Sequence, residues 1–288
     1  MMGSQGFRGT GWNATGGALT PSRRRALSDG LTVAGLLFAG YLFIIVAPQA
    51  RTVGFDAFAY WHLDIANPYP LSAGALGAFT YTPVAARLFA PAALLSWPAF
   101  LWLWLALLGA TVVWLGWRRT LLVLAFPPVA VELYHGNIHL LMAAAIALGF
   151  RYPATWAFVV LTKVTPGVGL LWFVVRREWR PLGIAMSVIA ALTAVSLVVD
   201  GRLWSEWLSG AILRVADEGV GQPTLPIPLV IRLPAAAILV AWGGLNNRPW
   251  TVPAAATLAL PVPWFSGLAI LAALPALGRR ELQPRQAG

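Results

Sequence analysis

The chain has no cysteine, a single lysine and few charged residues of any kind. Without cysteine there is no disulfide framework, no thiolate nucleophile and no zinc–cysteine site. Charged side chains make up 10% of the 288 residues, against about 25% in a soluble domain, whose surface must be wetted. Hydrophobic residues make up 59%, and the mean hydropathy is +0.72. These proportions indicate an integral membrane protein that has lipid as its solvent.

Several motifs of soluble enzymes are also missing. The chain contains no glycine-rich phosphate loop, no Gly-x-Ser-x-Gly elbow and no Asp-x-Asp pair. Their absence argues against an ATPase, a serine hydrolase and a nucleotide-sugar enzyme that chelates a metal. The net charge of +10 would suggest nucleic acid in a soluble protein. In a membrane protein an arginine excess sets orientation instead, so we predict no nucleic-acid partner.

We expect three parts along the chain. Residues 1–30 form a disordered basic cytoplasmic arm, residues 31–278 a transmembrane domain, and residues 279–288 a cytoplasmic tail. Apolar runs occupy residues 31–47, 83–95, 98–117, 120–133, 138–150, 154–175, 181–200, 229–244 and 250–277. The predicted fold class is all-α, a polytopic transmembrane bundle of about ten crossings with an outer interfacial region.

Arginine positions set the predicted topology, because short loops rich in Lys and Arg stay cytoplasmic. Both termini then lie inside, and residues 48–80 form a long outer loop. To keep the arginine pairs inside, residues 83–95 become a short interfacial or re-entrant helix on the outer side. For the same reason residues 154–175 become a hairpin with Lys163 at its outer tip, and residues 250–277 a hairpin broken at a Pro-Val-Pro sequence.

The long outer loop concentrates aromatic and acidic side chains. Within residues 51–70, Asp56 and Asp64 lie among Phe, Tyr and Trp residues. One interpretation is an interfacial helix whose aromatic residues anchor at the headgroups while the carboxylates face water. The other is a catalytic site in which Asp56 acts as a general base over a cavity. The spacing of these residues leaves both interpretations open.

Two further polar features interrupt apolar segments. Lys163 is the only lysine, and an ionisable group in such a place predicts a functional site, here for a phosphate. The alternative is a side chain that snorkels to the interface. The turn at Gly136 carries His135, Asn137 and His139, and we interpret it as a hydrogen-bonding turn that lines a cavity. We predict no metal there, because Gly136 separates the two histidines and no zincin pattern follows.

Four stretches of the chain follow the order of a known set of motifs. Residues 55–60 hold an acid in an aromatic outer loop, and residues 79–95 hold Tyr-Thr-Pro followed by Pro-Ala-Ala-Leu-Leu. Residues 135–141 read His-Gly-Asn-Ile-His-Leu-Leu, and residues 162–166 read Thr-Lys-Val-Thr-Pro. In residues 50–180 the chain thus resembles the polyprenol-phosphate-mannose-dependent mannosyltransferases of glycosyltransferase family 87, which are membrane glycosyltransferases with the C-fold.

The resemblance implies an inverting transfer of a hexose, in particular mannose, from a polyprenyl-phosphate donor to a lipid or polysaccharide hydroxyl. The reaction takes place at the extracytoplasmic face of the cell membrane, with Asp56 as general base and with no cofactor or metal. The predicted groups that bind the donor phosphate are Lys163, His62, Arg87 and His135. The predicted substrate-binding residues are Tyr60, Asp64, Asn137 and His139.

Two other classes of protein stay open at this point. Broken helices and an intramembrane lysine are also typical of a transporter or lipid flippase. A shortened, non-catalytic relative of the glycosyltransferases would share the same motifs without the activity.

Overall fold

The computed structural model describes residues 20–72, 74–213 and 226–281. These residues form helices joined by turns and loops, with no strand among them, so the all-α class is confirmed for the described chain. The α-helices are α1 (Pro21–Ala50), α2 (Phe55–Trp61), α3 (Pro83–Phe89), α4 (Trp97–Gly116), α5 (Thr120–Leu124), α6 (Pro127–His135), α7 (His139–Gly149), α8 (Trp156–Thr162), α9 (Leu171–Val175), α10 (Trp179–Asp200), α11 (Arg202–Glu206), α12 (Leu229–Leu245), α13 (Thr251–Leu258) and α14 (Leu274–Glu281). The 3₁₀ segments are Ala90–Leu94, Trp117–Arg119, Pro153–Thr155, Thr165–Leu170 and Phe265–Ala273, and the π-helical segments are Leu42–Val46 within α1 and Trp207–Leu213.

Three helical runs of the described chain are long and apolar enough to cross a membrane, namely Pro21–Ala50, Trp97–Leu124 and Trp179–Asp200. The pair α6–α7 adds a fourth if it counts as one span, although its two axes meet at 117°. The shorter apolar helices have 10–17 residues, fewer than the roughly 20 that cross the hydrocarbon unaided. The protein therefore has the helices of a membrane protein. The predicted number of crossings is not confirmed, because Pro, Gly and one Lys divide the later apolar runs into short pieces.

The first helix begins earlier than the sequence predicted. α1 starts at Pro21, within the stretch assigned to the disordered arm. Proline suits the first helical turn, because its missing N–H would have no partner there. The Thr20 hydroxyl accepts a hydrogen bond from the Arg23 amide at 3.4 Å. At the other end α14 continues to Glu281, inside the predicted tail. Residues 1–19 and 282–288, the rest of the predicted arm and tail, lie outside the described residues.

Two helix breaks fall where the sequence predicted hairpins. α8 ends at Thr162, Lys163 has an extended backbone (φ −137°, ψ 111°), and helical structure resumes at Thr165. Between α13 and the following 3₁₀ segment, the chain leaves helical geometry at the Pro-Val-Pro sequence. The positions of both breaks are confirmed, whereas the side of the membrane on which each lies stays a prediction.

Small residues let the helices approach closely at the centre of the bundle. A Cβ atom built on Gly149 or Gly169 would lie 2.5 Å or 2.3 Å from atoms of the Trp156 ring. Gly35 of α1 lies against the Ala125 carbonyl in the same way. In lipid, helices associate through van der Waals packing of this kind, since no hydrophobic force drives them together. α7 is buried on nearly all sides and packs along the 3₁₀ segment that precedes α14, which fixes the position of the turn before α7.

Candidate active site

The turn between α6 and α7 supports the short helix α2. α6 ends at His135, Gly136 takes the left-handed conformation (φ 68°), and α7 follows after a bend of 117°. A Cβ on Gly136 would lie 2.8 Å from the Cβ of Ala57, so glycine is needed both for the backbone angle and for the approach of α2. The Gly54 amide donates to the Tyr134 carbonyl at 2.8 Å and holds the start of α2 beside the turn.

Asn137 lies in this turn and connects it to α2. Its side-chain nitrogen donates to the Asp56 carboxylate at 2.8 Å. Its side-chain oxygen accepts from the Ile138 amide at 2.7 Å and lies 3.3 Å and 3.4 Å from the hydroxyls of Tyr60 and Tyr81. A backbone N–H is always a donor, so the Ile138 contact decides which end of the Asn137 amide faces Asp56. Asn137 therefore orients the Asp56 carboxylate, and its own polar groups are occupied within the protein.

The Asp56 carboxyl group is open on one side. Its side chain is 29% exposed, and the His135 ring, which is 37% exposed, lies 3.9 Å from one of its oxygens. Burial raises the pKa of Asp56 above its ordinary value, while the Asn137 hydrogen bond and the His135 charge act in the opposite direction. A carboxylate with a raised pKa is a stronger base than a free aspartate and is suited to accept a proton from a hydroxyl.

Lys163 reaches the same network from the break after α8. The Thr82 hydroxyl accepts from the Ala85 amide at the start of α3 and donates to the Leu161 carbonyl near the end of α8. This hydroxyl therefore ties the two helices together just before the break. The Lys163 ammonium nitrogen lies 5.5 Å from the centre of the Tyr81 ring, over its face. Tyr81 thus contacts Lys163 with its ring and the asparagine of the turn with its hydroxyl.

The charge of Lys163 is not neutralised by an ion pair with any described residue. In the part of the chain that the structure describes, the ion pairs join His, Arg, Asp and Glu side chains, and none includes Lys163. The carboxyl groups of Asp56 and Glu132 act on it electrostatically without pairing with it. A partly buried ammonium that no carboxylate pairs with is costly, and a nearby anion would stabilise it.

Aromatic rings enclose the buried part of the network. Tyr60 is 1% exposed, stacks on Phe89 with 4.5 Å between ring centres, and lies 5.3 Å from the Trp104 ring. The Tyr60 and Tyr81 hydroxyls are 3.0 Å apart, and the Trp104 indole donates to the Gly136 carbonyl at 2.7 Å. This packing holds the turn rigidly. It also leaves Tyr60, a predicted substrate-binding residue, with almost no surface open to a ligand in this structure.

Three other predicted site residues lie apart from this network. His62 and Asp64 follow α2 and are exposed; His62 stacks on a ring of α2, and Asp64 accepts from a backbone amide at 2.9 Å. Arg87 lies in α3, and its buried Nε has no hydrogen-bond partner in the described part of the chain. Among the described residues, no hydrogen bond, ion pair or ring contact joins any of the three to Asp56 or Lys163.

The two histidines of the turn face different acids. His135 lies beside Asp56, whereas the His139 ring nitrogen Nδ1 lies 3.0 Å from the Glu132 carboxylate. His139 is 1% exposed, so this predicted substrate-binding residue faces the packed interior. Within residues 20–72, 74–213 and 226–281, no three His, Asp or Glu side chains converge in the manner of a metal site.

Sequence reasoning did not select two residues that the structure places in or beside the network. Glu132 is fully buried in α6, and its carboxylate accepts from two amides at the start of α7. The available signal was an acid in an otherwise apolar helix just before a turn. Tyr81 lies inside the second motif, but no spacing in the sequence connects it to Lys163, because that contact depends on how α3 packs against α8.

Comparison with known protein families assigns the chain. The family model described as glycosyltransferase family 87 matches residues 79–287, which is most of the chain. The protein therefore belongs to glycosyltransferase family 87 and is a membrane glycosyltransferase. No curated protein and no solved structure gives a significant match. The match extends through the C-terminal half, beyond the region on which the resemblance was based. It contains Asn137 and Lys163 but begins after Asp56, so the role of Asp56 depends on the geometry of the site.

Proposed function

We propose that this glycosyltransferase moves a hexose, in particular mannose, from a polyprenyl-phosphate donor to a hydroxyl of a lipid or polysaccharide acceptor. Asp56 is the general base, and the anomeric configuration of the sugar is inverted. One observation carries the proposal: the Asp56 carboxylate, oriented by Asn137 and open on one side, shares a network with Lys163, which forms no ion pair within the described residues.

The reaction needs a proton acceptor and a stabilised leaving group. Asp56 takes the proton of the acceptor hydroxyl while the hydroxyl oxygen attacks the anomeric carbon of the donor sugar. The new C–O bond forms on the face opposite to the phosphate, and the bond between the anomeric carbon and the phosphate oxygen breaks. Polyprenyl phosphate leaves with that electron pair, and Lys163 stabilises the charge that develops on it. Because the leaving group is already a phosphate, the proposed step uses neither ATP nor a metal.

Arginine positions support an extracytoplasmic site. α7 leads from the site towards Arg151, and its 11 residues rise about 16 Å. α8 packs against α7 and returns to Lys163, after which the chain leads away again to Arg176 and Arg177. These three arginines therefore lie at the end of the bundle opposite to the site. Arginine-rich loops tend to stay in the cytoplasm, which favours the outer face for Asp56 and Lys163.

The test is transfer of labelled mannose by the purified chain in proteoliposomes that contain polyprenyl-phosphate mannose and an extract of acceptor lipids. We expect a labelled product whose new linkage has the inverted configuration by NMR. Asp56→Asn should lower the rate about 10²–10⁴-fold, the range for loss of a general base. Asp29→Asn is a matched control on the exposed surface of α1 and should leave the rate unchanged.

Three results would contradict the proposal in different ways. Transfer by Asp56→Asn at the wild-type rate would mean that another group is the base. Movement of a lipid or solute across the proteoliposome membrane, without a covalent product, would identify a transporter or flippase. A folded chain that binds no donor by calorimetry would identify a non-catalytic relative.

A further inference from the structure

Glu132 is a buried acid that the proposed reaction does not use. We propose that Glu132 is a positioning residue, whose peptide carbonyl and carboxylate together hold the turn that presents Asn137 to Asp56. Its effect on catalysis rests on the proposed function, whereas its effect on the geometry of Asp56 does not.

Glu132 contacts both sides of the turn. Its peptide carbonyl accepts from the amides of Gly136 and Asn137 at 2.8 Å and 3.3 Å and so closes the end of α6. Its carboxylate accepts from the amides of His139 and Leu140, the first two residues of α7. The first amides of a helix have no partner within the helix, and a negative group is favoured beside them. One residue therefore closes one helix and begins the next.

The His139 ring completes the coordination of this acid. Its Nδ1 lies 3.0 Å from the second carboxylate oxygen, and both side chains are almost fully buried. A buried carboxylate is costly unless hydrogen bonds satisfy it, and here two backbone amides and one ring nitrogen do so. The other ring nitrogen lies beside Gly267 and has no hydrogen-bond partner among the residues that the structure describes. His139 thus orients Glu132 from within the packed interior.

Asn137 is the part of the turn through which Glu132 acts on the base. The Glu132 carbonyl binds the backbone amide of Asn137 itself, and the Glu132 carboxylate binds the start of the helix that begins two residues later. The side-chain nitrogen of Asn137 donates to Asp56 at 2.8 Å. Loss of the carboxylate would release the start of α7 and allow Asn137 to shift relative to Asp56. A displacement of about 1 Å at a catalytic group costs on the order of 10²-fold in rate.

Two substitutions separate the acceptor function of Glu132 from its charge. Glu132→Gln keeps an oxygen that can accept from the α7 amides, whereas Glu132→Ala removes it. We expect Glu132→Ala to lower kcat about 10²-fold with little change in KM for the donor, and Glu132→Gln to lose less than about tenfold. Glu178→Gln is the matched control, because Glu178 pairs with Arg176 at the opposite end of the bundle and should leave kcat unchanged.

An aspartate NMR titration tests the same idea without turnover. The chain has five aspartates, so ¹³C-carboxyl labelling gives a simple spectrum in which Asp56→Asn identifies the Asp56 signal. The Asn137 hydrogen bond lowers the pKa of Asp56 and the charge of Glu132 raises it, and the hydrogen bond has the larger effect. Both variants remove any charge of Glu132, and only Glu132→Ala lets Asn137 shift, so the titration midpoint of Asp56 should be higher in Glu132→Ala than in Glu132→Gln. His135, His139 and Lys163, which also interact electrostatically with Asp56, are present in both variants.

Equal midpoints for Asp56 in the two variants, or kcat unchanged in Glu132→Ala, would overturn the proposal. If Glu132→Ala does not fold, Glu132→Gln combined with Asn137→Ala decides the question. If the double variant loses less of its kcat than the two single losses combined, Glu132 acts through Asn137. If the two losses in kcat are purely additive, the proposal is overturned. If the wild-type chain transfers no sugar at all, the proposed function fails, while the titration still decides whether Glu132 positions Asp56.

Discussion

The two helix breaks that meet at the candidate site are built in opposite ways. At the turn after α6, Glu132 and Asn137 satisfy the backbone amides that the break leaves free, and their polar groups are engaged within the protein. At the break after α8, Lys163 is extended, and its ammonium has no ion pair within the described residues. In an apolar bundle, one interruption thus positions the base while the other keeps a charge available for a ligand.

Lys163→Met, at the break after α8 that we propose binds the donor phosphate, should have the largest effect. Without the ammonium, kcat/KM should fall about 10²–10³-fold, as for loss of a group that stabilises a developing anion. Thermal stability in detergent should not fall, because an unpaired, partly buried charge is removed. Lys163→Arg is the control that keeps the charge and should retain part of the activity.

The single lysine also allows a direct binding measurement. Reductive ¹³C-methylation labels Lys163 and otherwise only the amino terminus, since the chain has no other lysine. Addition of polyprenyl-phosphate sugar should shift the Lys163 signal. A signal that stays in place while the donor binds by calorimetry would contradict a contact between Lys163 and the phosphate.

Asn137→Ala, in the turn after α6 that positions the base, should have the next largest effect. We expect a loss in kcat of about tenfold or more, since a hydrogen bond to a charged group is removed. The Asn137 hydrogen bond lowers the pKa of Asp56, so its loss raises that pKa further. The base must be ionised to act, and the acidic limb of the pH–rate profile should therefore move to higher pH. Asn246→Ala, at an exposed position after α12, should leave the profile unchanged. If the acidic limb of Asn137→Ala does not shift, the Asn137 hydrogen bond does not act on the pKa of the base.

Thr82→Val should have the smallest effect. It removes the hydrogen bond that ties α3 to the Leu161 carbonyl and should cost about 1 kcal/mol of stability, measured by thermal unfolding in detergent. The rate should change only a few-fold, because the Lys163 ammonium remains. Thr32→Val, at a partly exposed position of α1, is the matched control. If Thr82→Val lowered the rate as much as Lys163→Met does, Thr82 itself would contact the substrate.

Much of the site could be predicted from residue types and motif order. Lys163 and the turn at Gly136 stand out because polar and ionisable groups are expensive in apolar segments. Asp56 stands out as the acid of an aromatic outer loop and of the first motif. The resemblance to the family added His62, Asp64 and Arg87, and among the residues that the structure describes no hydrogen bond, ion pair or ring contact joins these three to Asp56 or Lys163. Sequence spacing does not show which face of a short helix points towards another helix. This part of the prediction depended on helix packing, which spacing alone does not determine.

The sequence by itself determined that this is a helical membrane protein with breaks at defined positions. Ten per cent charged residues cannot wet a soluble surface of this size, and Pro, Gly and Lys interrupt helices wherever they occur in an apolar run. Only the tertiary structure decided how the site is assembled. Asp56 and Asn137 are 81 residues apart in the chain. They meet because the left-handed Gly136 bends the helix pair and leaves room for α2, and because the buried Glu132 holds that bend on both sides.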